Sequence, residues 1–426
     1  MSSHDKEFSL EAVPQSSRKS FWNILAVMLS LSFFSASMWS GGTLGEGLSF
    51  TNFILIVLAG NLILGLYTGA LAYIAAKTGL STHLLARYAF GKTGSYITSF
   101  LLASTQVCWF GVGLAMFAVP VSLATGINVF ILIGVFGTLM TISSIFGLKA
   151  LAILGFISVP TIAIFGMYSV TDAVNSMGGM DALLLYQPTE SVSIAFALTI
   201  CVGSFISAGT LTPDFTRFAK SAKSAVSSSI IAFFLGNSLM FLFGAVGAMA
   251  FGIADISEVM LMQGLMIPGI IVLGLNIWTT NDSALYASGL GFANIFKFPK
   301  KYIVVFNGIL GTLAAMWLYN NFVDFLTLLG SALPSIGAII LADYFIVRKR
   351  DYAAYETMTF KAINPVAIFA WAAGIVLANF VPGIPPLNAL IGTSAIYVIG
   401  MKLAAYKSTV SVKTPIKTKD EVVRDY

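Results

Sequence analysis

Apolar and polar positions alternate along this chain in long blocks rather than at short period. Roughly twelve apolar runs, each able to supply a helix of about 20 residues across a hydrocarbon core, follow one another with short interruptions. They lie at roughly 22–44, 52–76, 94–122, 128–147, 149–170, 194–213, 225–252, 265–293, 301–319, 322–347, 364–382 and 384–404. The sixth run holds the stretch Ser204-Phe205-Ile206-Ser207-Ala208-Gly209-Thr210-Leu211, followed by Thr212-Pro213-Asp214. Two serines, a glycine and a following Thr-Pro predict a span whose backbone breaks within that stretch. The first run repeats it: Ser32-Phe33-Phe34-Ser35-Ala36 carries the same S-F-x-S-A, and Gly42-Thr43-Leu44 the same G-T-L.

Two further pairs keep a similar offset. Gly60-Asn61 in the second run matches Gly236-Asn237 in the seventh, and Gln106 in the third falls opposite Asn276 in the eighth. The first and sixth runs enter the membrane from opposite sides, so the halves run inverted. The predicted fold class is an all-α polytopic membrane protein with a five-plus-five inverted repeat. Residues 22–170 form the first repeat, 194–347 the second and 364–404 two further spans, between tails at 1–21 and 405–426. Interrupted spans at matching places in two repeats point to a transporter binding site near the bilayer centre.

Charge tests the span division. With the N-terminus inside and sides alternating, all 23 Lys and Arg fall on inside loops or tails. The outside loops carry Asp172, Asp181, Glu190, Asp255, Glu258 and Asp324. The positive-inside rule therefore predicts both termini in the cytoplasm. It also explains the basic balance without nucleic acid. Only 10% of residues are charged, 57% are hydrophobic and mean hydropathy is +0.89, where a soluble chain carries about 25% charged residues. Residues 1–20 have no apolar core, so no cleavable leader is expected. Cys108 and Cys201 fall inside apolar runs and are expected as core residues rather than a disulfide.

The polar residues at mid-span carry the candidate chemistry. Gln106 and Trp109 share a face of the third span. They offer an amide beside a ring, which suits the edge and π-face of a planar heterocycle. Phe205 can cover the other face, and the small residues around Ser207 leave room. Asn276, Thr279, Thr280 and Ser283 lie on one face of the eighth span. The Thr279 and Thr280 hydroxyls, with carbonyls near Phe34 and Ser37 in the first span, form a set of neutral oxygens suited to a weakly held Na⁺. Asp282 lies deep in the span but off that face, and is expected to be a hydrogen-bonded structural acid; a proton relay is the alternative. Asp214 and Asp343 lie near span ends, where solvation is expected. His83, in an inside loop, is not placed for catalysis. No metal-ligand spacing, phosphate loop or nucleophile–base pair is present, so an enzyme is not expected. A channel would need a continuous polar lining, which these apolar runs lack.

Several motifs together resemble the nucleobase–cation symporter family 1, most closely its bacterial cytosine permease branch. They are Phe33-Phe34-Ser35-Ala36-Ser37-Met38-Trp39, Thr82-His83-Leu84-Leu85-Ala86-Arg87, Gln106 through Gly113, Gly203 through Thr212, Asn276-Ile277-Trp278-Thr279-Thr280-Asn281-Asp282 and Ala342-Asp343-Tyr344. The match runs from about Val13 to Lys402. It implies a LeuT-type fold, alternating access, and cation-coupled import of a neutral nucleobase, cytosine for that branch, across the inner membrane. It places the ring between Trp109 and Phe205, with polar contacts from Gln106, Ser207 and Asn276. The family's sodium site maps onto Phe34, Ser37, Asn276, Thr279 and Thr280. Some members couple to protons, so the resemblance leaves open Na⁺ or H⁺, a different base (uracil, a purine or a hydantoin-like ring), and a passive facilitator. Hydantoin-type relatives carry Trp where this chain has Phe205, which implies a smaller ring here.

Overall fold

A computed structural model describes residues 7–321 and 332–413, and they are almost wholly helical. In chain order the helices are α1 (Phe21–Ser32), α2 (Ser35–Gly47), α3 (Phe50–Thr78), α4 (Thr82–Phe90), α5 (Gly94–Thr125), α6 (Val129–Ile145), α7 (Leu148–Ser176) and α8 (Met180–Leu184). Then come α9 (Ile194–Thr210), α10 (Thr212–Thr216), α11 (Ala222–Phe251, with a π turn at Ile231–Asn237), α12 (Ile256–Met262), α13 (Met266–Phe296) and α14 (Lys300–Asn320). The chain ends with α15 (Pro334–Val347), α16 (Pro365–Phe380) and α17 (Pro385–Lys413). Six described helices are long and apolar enough to cross a membrane, or seven if the bent pair α1–α2 counts as one span. Helices α6, α9, α15 and α16 are shorter and apolar, and α13 is a continuous 31-residue helix with a polar centre. The helices fall on the predicted runs. The first part of the tenth run, with Asp324, lies outside the described residues.

The first span is broken by 54° between α1 and α2. The sixth breaks at the end of the expected stretch Ser204–Leu211: α9 continues through Thr210 and the turn comes at Leu211. Up to that turn the helix satisfies its own hydroxyls: Ser204 Oγ donates to the Cys201 carbonyl (2.9 Å) and Thr210 Oγ1 to the Ile206 carbonyl (2.8 Å). The interruption immediately precedes the Thr-Pro step, where Pro213 has no N–H to extend a ladder.

Packing follows the inverted pattern. Helix α3 lies along α9, and its expected counterpart α11 lies along α2. Helix α5 packs along α13 and α14. The α2–α11 contact brings backbones together. A Cβ added at Gly244 would strike the Met38 backbone, and one at Gly41 the Phe241 backbone. Small residues permit such approach between membrane helices.

Candidate functional site

The break in the first span is stabilised from another helix. Asn276 Oδ1 on α13 accepts from the Ser35 N–H (2.8 Å) and from Ser35 Oγ (3.0 Å). The first amide of α2 is thereby capped by a buried side chain 241 residues away in sequence. Phe34, just before it, has an extended backbone (φ −139°, ψ 135°), which turns its ring towards α5 and α9. The Phe34 ring stands edge-on to Trp109 (5.6 Å between centroids, 77°) and to Phe205 (6.5 Å, 78°).

A cavity of ≈ 30 Å³ lies beside these rings, lined by Leu31, Phe34, Gln106, Trp109, Ser204, Phe205, Ser207, Ala208, Thr280, Asn281 and Ala284. The fold therefore brings together Gln106, Trp109, Phe205 and Ser207. Its volume is about that of one water, so the aromatic side chains must part for a planar ring to enter. Gln106 Nε2 is buried without a hydrogen-bond partner among the described residues. An unpaired buried amide is costly unless something else meets it.

Asn276 does not line the cavity: its carbonyl oxygen is committed to Ser35, while its Nδ2 is buried and unpartnered. Spacing alone missed Leu31, Asn281 and Ala284 in the wall. Asn281 could have been suspected, one residue from Thr280 in a polar run; Leu31 and Ala284 carry no chemical signal.

The candidate cation oxygens flank the same break. Phe34 and Thr280 share the cavity wall. Ser37 Oγ is buried with no described partner. The Phe34 carbonyl accepts the Ser37 N–H (2.9 Å). Both threonine hydroxyls bond back to the Asn276 carbonyl, Thr279 at 3.0 Å and Thr280 at 2.8 Å, leaving their lone pairs as acceptors. All of these donors are neutral hard oxygens, a set that fits a monovalent alkali cation.

Asp282 turns away from that face. Its Oδ1 accepts from Ser143 (2.8 Å) and Ser144 (3.1 Å) on α6, and Trp278 Nε1 donates to the same Ser143 Oγ (2.9 Å). Asp214 and Asp343 were expected near solvent, and both are instead fully buried. The Thr82 N–H donates to Asp214 Oδ1 (2.8 Å), and His83 Nε2 lies 3.5 Å from its Oδ2. Asp343 accepts from the hydroxyls of Tyr352 and Tyr397, each at 2.7 Å. The loop helix α4 and the segments after α15 fold back over these span ends, which span position alone does not reveal. No cluster of three or more His, Cys, Asp or Glu able to hold a metal occurs among the described residues.

Known proteins share this architecture and sequence. The family model described as "Permease for cytosine/purines, uracil, thiamine, allantoin" matches residues 12–403. Cytosine permeases of Escherichia coli O157:H7 and of Escherichia coli strain K12 are each 56% identical over 410 residues, covering 96% of this chain and 98% of theirs. A hydantoin permease of Microbacterium maritypicum is 24% identical over 375 residues, 78% of this chain and 75% of its own. Mhp1, a nucleobase-cation-symport-1 family transporter in a closed conformation with bromovinylhydantoin bound, superposes with a TM-score of 0.83 at 20% identity, over 94% of this chain and 96% of its own. A Na⁺-coupled sialic acid symporter superposes at 0.67 with 14% identity, over 91% and 90%. The LeuT-type fold expected from the sequence is therefore the fold observed, and the chain belongs to the family of permeases for cytosine/purines, uracil, thiamine and allantoin.

Proposed function

We propose that this chain imports cytosine across the bacterial inner membrane by Na⁺ symport with alternating access. The carrying observation is the junction of Phe34, Trp109, Phe205 and Gln106 around one cavity at the break of the first span. A single-ring base would enter by displacing the Phe34 ring from its edge-on position. Trp109 and Phe205 would then stack on its two faces, and the unpaired Gln106 amide would meet its polar edge. Ser207 would supply a further hydroxyl. Asn276, by holding Ser35, would set the position of the break rather than touch the base.

The carbonyls of Phe34, Ser37 and Asn276 with the hydroxyls of Thr279 and Thr280 would hold the cation. A bound Na⁺ supplies a positive charge that ties the broken span to the straight α13. The unpartnered Ser37 Oγ and the neutral oxygen set support this assignment. The relatives at 56% identity are named cytosine permeases, which supports the choice of base. The Lys and Arg distribution supports cytoplasmic termini.

The buried carboxyl of Asp282 favours a second reading, coupling to protons. Reconstituted protein separates the two. Under an inward Na⁺ gradient at equal pH, radiolabelled cytosine should accumulate above the external concentration. Accumulation driven by pH alone supports the second reading, and simple equilibration supports a facilitator.

A further inference from the structure

The segment preceding α1 is bound to the helical body along its length. The Val13 N–H donates to the Gly79 carbonyl at the end of α3 (2.9 Å). Lys19 donates to the Phe218 carbonyl (2.6 Å), and the Lys220 N–H donates back to the Lys19 carbonyl (3.2 Å). The Arg18 guanidinium bonds the Ala76 and Ala219 carbonyls. Residues 13–19 are thus stitched to α3 and to the turn after α10.

Residues 7 and 8 reach further. Arg217 is fully buried, and no described carboxylate lies within ion-pair distance of it. Its charge is met by backbone oxygens: Nη1 donates to Phe8 (2.7 Å) and Nη2 to Glu7 (2.7 Å). Nη2 also reaches the Tyr286 hydroxyl on α13 at 3.3 Å. Phe8 holds φ 50°, a left-handed backbone that bulky residues avoid, so this turn depends on what holds it. The Glu7 carboxylate then crosses to the other side. It lies 3.8 Å from Lys300 Nζ at the start of α14 and accepts from the Leu148 N–H at the start of α7 (3.5 Å).

The clasp touches a helix that also walls the cavity. Ala284 lines the cavity, Tyr286 follows on the same helix, and its ring packs on Phe215 (5.6 Å).

We propose that the Arg217–Glu7–Phe8 clasp is the inner gate of the transport path, with Glu7 as the joint that parts. It rests on the transport reading above. The joints are unequal: residues 13–19 hold α3 and the turn after α10 mainly by backbone hydrogen bonds, whereas the contacts of Glu7 with α7 and α14 among the described residues are longer, at 3.5 and 3.8 Å. A path opening between these sides separates Glu7 from Lys300 and Leu148 first. While dry, Arg217 keeps the Glu7 and Phe8 carbonyls in place, because losing them strips a buried guanidinium of its two shortest acceptors. Water entering with the opening removes that penalty.

The test uses the full chain in inside-out membrane vesicles. Cys108→Ala and Cys201→Ser give a background without native thiols, and Ala284→Cys reports from the cavity wall. A membrane-impermeant maleimide added outside then reaches the reporter through the inner gate. Glu7→Gln should raise the labelling rate at least threefold, and deletion of residues 2–8 should raise it further. Right-side-out vesicles should show neither increase. Equal rates for the parent, Glu7→Gln and the deletion overturn the gate. Cytosine protection of the reporter in the parent reads the substrate site separately: its absence counts against the cytosine reading while the Glu7 comparison still decides the gate.

Discussion

Asn237 donates its side-chain amide to Asn61 Oδ1 at 2.7 Å, so the two members of one repeat pair touch each other. Asn61 in turn donates to Ser238 Oγ (3.0 Å). Both asparagines are fully buried. Asn237→Ala strands the Asn61 oxygen and should cost about 1–3 kcal/mol. Replacing both by Leu should cost less than the single change. Thermal unfolding of purified Asn237→Ala and of the double Leu variant checks this; a double variant less stable than Asn237→Ala contradicts it.

Trp109→Ala should leave a folded, extractable protein that binds cytosine weakly. Loss of one base–aromatic stack is worth about 1–3 kcal/mol, or roughly ten- to a hundredfold in affinity. Equilibrium binding to purified protein measures it. Affinity within twofold of the parent would remove Trp109 from the site.

Gln106 predicts selectivity. Cytosine offers an amine donor beside a ring-nitrogen acceptor, and uracil offers a carbonyl beside an N–H. An amide fixed for one pattern is mismatched by the other, at about 1–3 kcal/mol for each unmet buried group. Cytosine should therefore outcompete uracil by at least roughly tenfold, and Gln106→Ala should narrow that ratio. Equal competition by uracil, or any by cytidine, refutes this pocket.

Sodium and cytosine should tighten each other's binding by the same factor. Thr279→Ala and Thr280→Ala should reduce the sodium effect more than they reduce sodium-free cytosine binding. Titration of cytosine against Na⁺, with choline holding ionic strength constant, measures the coupling in each variant. Asp282→Asn is the control. If the parent ignores sodium but follows pH, and Asp282→Asn abolishes that response, coupling runs through the proton.

Glu258, on the short helix α12 outside the spans, has its carboxyl pushed up to about 7, first by burial and then by the negative charge of Asp255. The folded state thus holds this proton more tightly than the unfolded chain, where the ordinary value is 4.5. That contribution is complete below about pH 4.5 and is lost as pH rises through about 7. Glu258→Gln should flatten the fall in melting temperature between pH 5 and 8. A parallel fall in both proteins would show that Glu258 does not contribute.

What could be read from the chain depended on chemical contrast. Trp109 and Gln106 stood out because an indole and an amide at mid-span contrast with their apolar surroundings, and Phe205 because the S-F-x-S-A pattern recurs. Asn61 and Asn237 stood out for the same reason. Asn276 shows the limit: helical spacing placed it on the right face of α13 but did not reveal that Ser35 takes its oxygen. The burial of Asp214 depends on α4 folding across a span end, a tertiary contact with no local signature. The break expected in the sixth span comes at the last residue of its stretch, Leu211; its exact place was not legible because a serine hydroxyl satisfied by its own turn, as at Ser204, looks in sequence like one that disrupts it.

The glycine contact between α2 and α11 limits how the molecule can change shape. Where Gly244 meets the Met38 backbone and Gly41 the Phe241 backbone, no side chains intervene to repack or slide. Parting these helices would expose a whole seam of backbone at once. Helix α2, the second half of the first span, and the seventh span are therefore locked together as one unit drawn from both repeats. Any movement of α1 relative to that unit would have to be taken up at the Phe33–Phe34 break.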